Sequence, residues 1–218
     1  MRICMIVIAV LLLSVIFAII HTVRKGNKTK SVAAQNSWDI TETKYIDERP
    51  ELDVELLPVN KYSRPGTALE KVNGIVVHYT ANPGTTAMQN RDYFAGLATS
   101  HATSASSHFV IGLDGEIVQC IPCNEIAYAS NNRNKDTIAI ECCIPDETGR
   151  FNASTYQSLI KLTTWLMGRY DLSVKDVIRH YDVTGKNCPK YFVENESAWE
   201  IFHNDLARYI TKNGVDKE

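Results

Sequence analysis

The first twenty residues contain the longest hydrophobic stretch of the chain. Between residues 3 and 20 every side chain is apolar except Cys4 and Ser14. At about 1.5 Å per residue, a helix of this length spans about 27 Å, close to the hydrocarbon thickness of a bilayer. We therefore predict a transmembrane helix over residues 1–22 that anchors the chain as a single-pass membrane protein. The alternative is a cleaved signal peptide. No small-residue cleavage motif follows the hydrophobic run, however, and four basic residues follow it: Arg24, Lys25, Lys28 and Lys30.

The next segment, residues 23–50, is polar and has no sustained hydrophobic period, which indicates a tether. Residues 51–218 are long enough to bury a hydrophobic core and are predicted to form one domain. The predicted division is therefore a membrane anchor at 1–22, a tether at 23–50 and a folded domain at 51–218.

Short β-branched runs alternate with amphipathic stretches along the domain. Strands are predicted at residues 74–80, 108–113, 116–121, 136–143 and 174–180, and Asp114-Gly115 is a signal for a two-residue hairpin loop. Helices are predicted after Thr86, from a capping box formed by Ser154 and Gln157, and over residues 196–212. The predicted fold is α/β: a single domain with a central mixed β-sheet flanked by helices.

Composition and charge exclude some classes of function. The 218 residues include 23 basic and 25 acidic side chains, giving a formal charge of -2. Because non-specific nucleic-acid binding needs clustered Lys and Arg, we expect no nucleic-acid partner. Six cysteines leave the redox compartment undecided, and we expect the protein to be a monomer.

Three residues could bind a transition metal. His78 and His180 lie at the ends of predicted strands, and Cys188 follows in a glycine-containing loop. Two imidazoles and a thiolate suit Zn²⁺ and would leave a fourth position open, as in catalytic sites. On spacing alone, a buried core histidine and a small hydrophobic cysteine are the more common interpretation. His78 nevertheless interrupts an Ile and Val run at the carboxyl end of a strand, where α/β proteins place their sites.

Two charged residues are candidates for catalysis beside such a metal. Glu141 is a lone carboxylate within an apolar strand, and a buried carboxylate is costly unless it has a partner or a function. Its alternative role is an ion pair with an arginine. Lys186 lies two residues before Cys188 and could place a positive charge beside the metal, or could be an ordinary solvated loop lysine.

Several ordered blocks of the domain resemble a known family. They are the segments at 74–80 (GIVVHYT), 106–115 (SSHFVIGLDG), 137–141 (TIAIE), 179–182 (RHYD) and 186–189 (KNCP). Together they are similar to the type 2 zinc N-acetylmuramoyl-L-alanine amidases, the superfamily of phage lysozymes, recycling amidases and peptidoglycan-recognition proteins. The resemblance implies that His78, His180 and Cys188 bind zinc and that Glu141 and Lys186 assist catalysis.

The chain departs from this family pattern at one position. Some members have a tyrosine immediately before the His-Phe pair of the hairpin, where this chain has Ser107. A second donor to the oxyanion is therefore not identified. The resemblance suggests that His108 and Ser107 contact substrate or support the site, rather than bind the metal.

The function implied is zinc-dependent hydrolysis of the amide between N-acetylmuramic acid and L-alanine in peptidoglycan or muropeptides. Two alternatives stay open: a module that binds peptidoglycan without cleaving it, and a cytosol-facing amidase that recycles muropeptides. The basic residues after the hydrophobic run favour a cytoplasmic domain. A wall hydrolase, however, would benefit from an anchor at the membrane face, so we expect an extracytoplasmic domain at the cell membrane.

The remaining domain cysteines could have a structural role. Cys120 and Cys123 are spaced for metal binding, but Cys142 and Cys143 are adjacent, so a four-thiolate zinc site is geometrically poor. A disulfide between the two groups stays open if the domain is exported.

Overall fold

The structure is a computed structural model that describes residues 39–218. Residues 40–218 form one compact unit. Within the described part no helix is both long and apolar enough to cross a bilayer. The predicted membrane anchor and residues 23–38 of the predicted tether lie outside the described residues.

A six-stranded mixed sheet forms the centre of the domain. Its strands are β2 (Asp53–Val54), β3 (Ile75–Tyr79), β4 (Phe109–Ile111), β5 (Ile117–Gln119), β6 (Ile138–Cys142) and β7 (Val177–Arg179). They lie in the order β2-β5-β4-β6-β3-β7, and only β4 and β5 pair antiparallel, whereas the other neighbours in this sheet run parallel. The predicted mixed sheet is confirmed.

Five α-helices accompany the sheet in the described chain. They are α1 (Ala87–Ser100), α2 (Ala153–Tyr170), α3 (His180–Thr184), α4 (Lys190–Glu194) and α5 (Glu196–Asn213). Helix α1 packs on β4 and β5, while α2 packs on β4 and on α5. A single α/β domain with helices flanking the sheet is therefore confirmed, although the short helices α3 and α4 were not predicted.

Local signals in the sequence were right in kind but sometimes displaced. Thr86 caps α1 and forms a capping box with Gln89, as expected for a helix starting there. Helix α2, however, begins at Ala153, and its cap is Asn152, whose side chain accepts from the backbone N–H of Thr155. The predicted capping box at Ser154 is therefore wrong by two residues.

The predicted hairpin is present, but its loop has three residues rather than two. The backbone N–H of Gly112 donates to Glu116 O at 2.9 Å, so residues 113–115 form the loop. Gly115 has φ of 90°, a conformation that favours glycine, and its N–H donates to Gly112 O at 3.2 Å. This is a turn followed by a glycine bulge, the usual three-residue hairpin.

The folded unit begins earlier than the predicted boundary at residue 51. Strand β1 (Lys44–Tyr45) pairs antiparallel with β8 (Val215–Asp216) near the end of the chain. Gly168, in the last turn of α2, leaves room for β1 and the residue after it, because a Cβ there would lie 2.9 Å from Ile46 O. Residues 40–50, which we assigned to the tether, are thus part of the folded unit.

Candidate metal centre and catalytic cavity

Neighbouring parallel strands bring the first two candidate residues together. His78 on β3 and Glu141 on β6 are Cα partners in the ladder. Adjacent residues in register direct their side chains to the same face of a sheet. His78 Nδ1 consequently lies 4.0 Å from Glu141 Oε1.

The next strand along the sheet delivers the second histidine. Strand β7 pairs with β3 so that Arg179 is the partner of Val77, and His180 then begins helix α3. The imidazole rings of His78 and His180 are 4.6 Å apart between centroids. Two histidines more than one hundred positions apart in sequence are therefore neighbours at one sheet edge.

A tight return of the chain brings Cys188 to the same place. The carbonyl of Cys188 accepts from Tyr181 N at 2.9 Å, which ties the loop after α3 back to the start of that helix. Cys188 Sγ lies 3.8 Å from His78 Nδ1. Ligand atoms of His78, His180 and Cys188 all lie within 4.8 Å of one another, and all three residues are buried.

The outer nitrogen of each histidine has a partner that the sequence did not indicate. Ser130 Oγ lies 3.1 Å from His78 Nε2, and Asn131 Oδ1 lies 3.2 Å from His180 Nε2. His180 Nδ1 is buried and has no hydrogen-bond partner within the described residues. Nε2 of each ring therefore has a partner, while Nδ1 of His180 is left unpaired.

Burial and one nearby positive charge set the protonation of these groups. Burial lowers the pKa of His78 well below its usual value, and the charges of His180 and Lys186 lower it further. The pKa of His180 is also lowered, by burial and then by Lys186. Both imidazoles are thus kept neutral, the form that binds metals.

Glu141 is a carboxyl group in an unusual environment. Its side chain is only 19% exposed, and Oε2 has no hydrogen-bond partner in residues 39–218. Burial raises the pKa of Glu141 to about 8, an effect that the charge of Lys186 opposes. A carboxyl group with a pKa close to neutrality is suited to accept and return a proton.

A cavity of about 360 Å³ opens over these residues. It is lined by His78, Glu141, His180, Lys186 and Cys188, so all five candidate metal-binding and catalytic residues reach it. The wall also includes two phenols that we did not single out from the sequence, Tyr79 and Tyr128.

The two residues suggested to contact substrate or support the site lie elsewhere. Neither Ser107 nor His108 lines the cavity, and both are buried. The Ser107 hydroxyl is bonded to backbone carbonyls of Phe109 and Ala139. His108 Nδ1 accepts from Ala139 N at 3.0 Å, and its Nε2 donates to the carbonyl of Glu125 at 2.9 Å. Their side chains tie the hairpin to β6, and a role toward substrate stays a prediction.

The cysteines of the described domain are all free. Cys120 and Cys143 belong to the hydrophobic cluster beneath α1, and burial raises the pKa of each thiol to about 12. The disulfide left open by the sequence does not form in this structure, and these two thiols serve as small apolar side chains.

A metal ion fits the chemistry of this cluster. Its donors are two neutral imidazoles and a sulfur, and His180 Nδ1 lacks any other partner. Such a donor set suits Zn²⁺ with one position left for a water or substrate. Three potential ligands beside a carboxyl group with a raised pKa, at the carboxyl edge of parallel strands, are the arrangement that metal-dependent hydrolases use.

Comparison with known proteins identifies the family. Residues 68–191, more than half of the chain, match the model of the N-acetylmuramoyl-L-alanine amidase family, type 2. The protein belongs to this family.

Curated relatives agree with this assignment. The chain is 35% identical over 173 residues to N-acetylmuramoyl-L-alanine amidase CwlL of Bacillus licheniformis, a match covering 73% of this chain and 47% of CwlL. It is 32% identical over 182 residues to the amidase BlyA of Bacillus subtilis strain 168, covering 74% of this chain and 48% of BlyA. The chain therefore matches about half the length of these relatives.

A solved structure shows the same fold. The catalytic domain of XlyA, an amidase of Bacillus subtilis strain 168, superposes with a TM-score of 0.59 at 26% sequence identity. The match covers 71% of this chain and 99% of that domain. The structural match thus takes in nearly the whole catalytic domain of XlyA.

Proposed function

We propose that this protein is a zinc-dependent amidase that cleaves the bond between N-acetylmuramic acid and L-alanine in peptidoglycan or muropeptides. The observation that carries the proposal is the cluster of His78, His180 and Cys188 beside Glu141 in one cavity, within a chain of the amidase family. The names of the relatives indicate which bond is cleaved, and the site contains the groups needed to hydrolyse it.

His78, His180 and Cys188 would bind the zinc ion. A bound zinc ion would polarise the scissile carbonyl and lower the pKa of a water molecule. Glu141 lies beside the metal-binding cluster, with Oε1 4.0 Å from His78 Nδ1. From there its carboxylate accepts the proton of the attacking water and returns it to the departing nitrogen of L-alanine.

Lys186 is the residue that stabilises the negative charge developing on the carbonyl oxygen. It lines the cavity, and its charge acts on Glu141, His78 and His180. A positive charge placed at the wall of the cavity can stabilise the oxyanion as it develops. The phenols of Tyr79 and Tyr128 are available as additional donors in place of the tyrosine missing at position 107.

We also propose the cellular arrangement expected from the sequence: an anchor at residues 1–22 and a monomeric catalytic domain on the outer face of the cell membrane. Support comes from the length of the hydrophobic run and from the benefit of an anchor to an enzyme acting on the wall. Protease treatment of intact cells should remove the domain, whereas protection of the domain until lysis would indicate the cytosolic recycling arrangement.

The test of the enzymatic proposal is the identity of the bond cleaved. The purified full chain with zinc should release stem peptides carrying a free L-alanine amino terminus from peptidoglycan, detected by mass spectrometry. Glu141→Gln should retain zinc but lose about 100-fold or more in rate, because general acid–base help is of that size.

Two results would contradict the proposal. One is binding of peptidoglycan by the zinc-loaded wild-type chain without any new amino terminus, which would indicate a binding module. The other is a Glu141→Gln variant as active as the wild type, which would remove Glu141 from the proton transfer.

A further inference from the structure

One short loop contacts the outer nitrogens of both cluster histidines. Ser130 Oγ lies 3.1 Å from His78 Nε2, and the next residue, Asn131, places Oδ1 3.2 Å from His180 Nε2. Ser130 is buried, whereas Asn131 lies at the cavity wall. Consecutive side chains therefore hold two rings that come from different strands.

We propose that Ser130 and Asn131 are positioning residues that present Nδ1 of both histidines to the metal, an inference that rests on the proposed zinc-dependent function. An amide oxygen only accepts, so its contact requires the proton of His180 on Nε2 and leaves a lone pair on Nδ1. For His78, Nδ1 faces Cys188 Sγ at 3.8 Å, and Nε2 is directed to the Ser130 hydroxyl. The amide contact thus fixes the tautomer of His180, whereas the hydroxyl contact fixes the orientation of the His78 ring.

The unpaired inner nitrogen supports this role. A buried polar atom without a hydrogen bond costs about 1–3 kcal/mol. His180 Nδ1 is such an atom. A ring free to turn could avoid that cost, so the contact between Nε2 and Asn131 explains why Nδ1 stays without a partner.

The loop is itself held in shape before any metal binds. Asn134 Oδ1 accepts from the backbone N–H groups of both Ala129 and Ser130. The N–H of Arg133 donates to Ser130 O at 3.0 Å, closing a short turn. Asn131 has φ of 53°, a left-handed conformation that asparagine tolerates better than most residues. The two positioning side chains therefore project from a fixed backbone.

Zinc affinity of the full chain, measured by competition with a chelator, tests the proposal. Ser130→Ala removes the hydroxyl, and Asn131→Gly removes the amide while keeping the positive φ accessible. Each should weaken zinc binding by about 10–100-fold, as expected for loss of such partners. Asn131→Asp, which keeps an acceptor, should restore affinity to within a few-fold of the wild type. Asn132→Ala, an exposed neighbour in the same turn, is the matched control and should change affinity less than about twofold.

A second measurement determines the tautomer of His180 in the absence of metal. In the zinc-free wild-type chain, ¹⁵N NMR should show His180 protonated on Nε2, and Asn131→Gly should shift it toward a mixture of tautomers. Wild-type zinc affinity in either Ser130→Ala or Asn131→Gly would overturn the proposal that both residues position the histidines. An unchanged His180 tautomer in Asn131→Gly would also overturn it. Because these measurements contain no substrate, failure of the proposed amidase activity would leave their outcome unaffected.

Discussion

Arg179, the residue before His180, links the second histidine to the helices behind it. Its guanidinium makes five nitrogen–oxygen contacts of 2.6–3.3 Å, to the carboxylates of Asp182 and Glu196 and to the carbonyl of Phe192. The guanidinium carbon also lies 5.3 Å from the ring centre of Trp199. Only 8% of this side chain is exposed.

Replacing Arg179 with lysine keeps the charge but removes the planar fork, because an ammonium group cannot bridge these acceptors together. Hydrogen bonds to charged groups are worth about 1.5–3 kcal/mol. Asp182 and Glu196 are 30% and 63% exposed, so solvent reduces their share. The net loss should be about 2–3 kcal/mol, which lowers the Tm of a domain of this size by about 5–10 °C.

Thermal unfolding of the full chain, followed by circular dichroism, measures this loss. Arg208→Lys is the matched control, since Arg208 makes one contact with Asp205 and is 74% exposed. An exposed pair contributes less than about 0.5 kcal/mol, so its Tm should change by less than about 2 °C. If Arg179→Lys unfolded within 2 °C of the wild type, the network would not stabilise the domain as argued.

Three further predictions concern catalysis, pH and capping. Lys186→Ala should lower kcat by about 100-fold with little change in KM, and an unchanged kcat in steady-state assays would exclude Lys186 from the oxyanion role. Burial lowers the pKa of His203 to about 4, although a hydrogen bond from its Nε2 to Val177 O opposes this effect. As the pH falls, His203 is therefore protonated in the unfolded chain before it is protonated in the folded chain. The contribution of His203 to the free energy of unfolding should therefore fall by about 3 kcal/mol as pH drops from 6.5 to 4. In urea titrations His203→Gln should make the free energy of unfolding depend less steeply on pH than in the wild type, and an equal dependence would contradict this. Asn152→Ala should destabilise the domain by about 1–2 kcal/mol in the same titrations, whereas Ser154→Ala should be nearly neutral. A larger loss of stability in Ser154→Ala than in Asn152→Ala would instead support a cap at Ser154.

The parts of the site that could be predicted are polar residues in apolar strands. His78 and Glu141 interrupt runs of Ile and Val, and such runs predict strands whatever the distant parts of the chain do. Their pairing in register required only that β3 and β6 be neighbours in a parallel sheet. The cluster could therefore be anticipated from local pattern and the family resemblance.

Other parts depend on contacts between distant segments. Ser130 and Asn131 lie in a turn rich in Ser and Asn, where such residues are common for reasons of backbone geometry. Only the folded chain shows that their side chains reach histidines about fifty positions away. No periodic signal in the sequence distinguishes them from neighbours such as Asn132.

The start of the domain was missed for a related reason. Strands β1 and β8 have two residues each, too few for an alternating pattern to appear. Their pairing joins segments at opposite ends of the described chain, with Gly168 providing the space. Short strands of this kind are stabilised by tertiary packing and have little propensity of their own.

The central claim is that one zinc ion in the His78, His180 and Cys188 cluster makes this chain an amidase. The most direct measurement is a titration of the metal-stripped full chain with Zn²⁺ while release of L-alanine-terminated stem peptides is recorded. The account predicts negligible release without metal and a rise that saturates at about one zinc per chain, absent in Cys188→Ala. Full activity in the metal-stripped chain, or in Cys188→Ala, would contradict it.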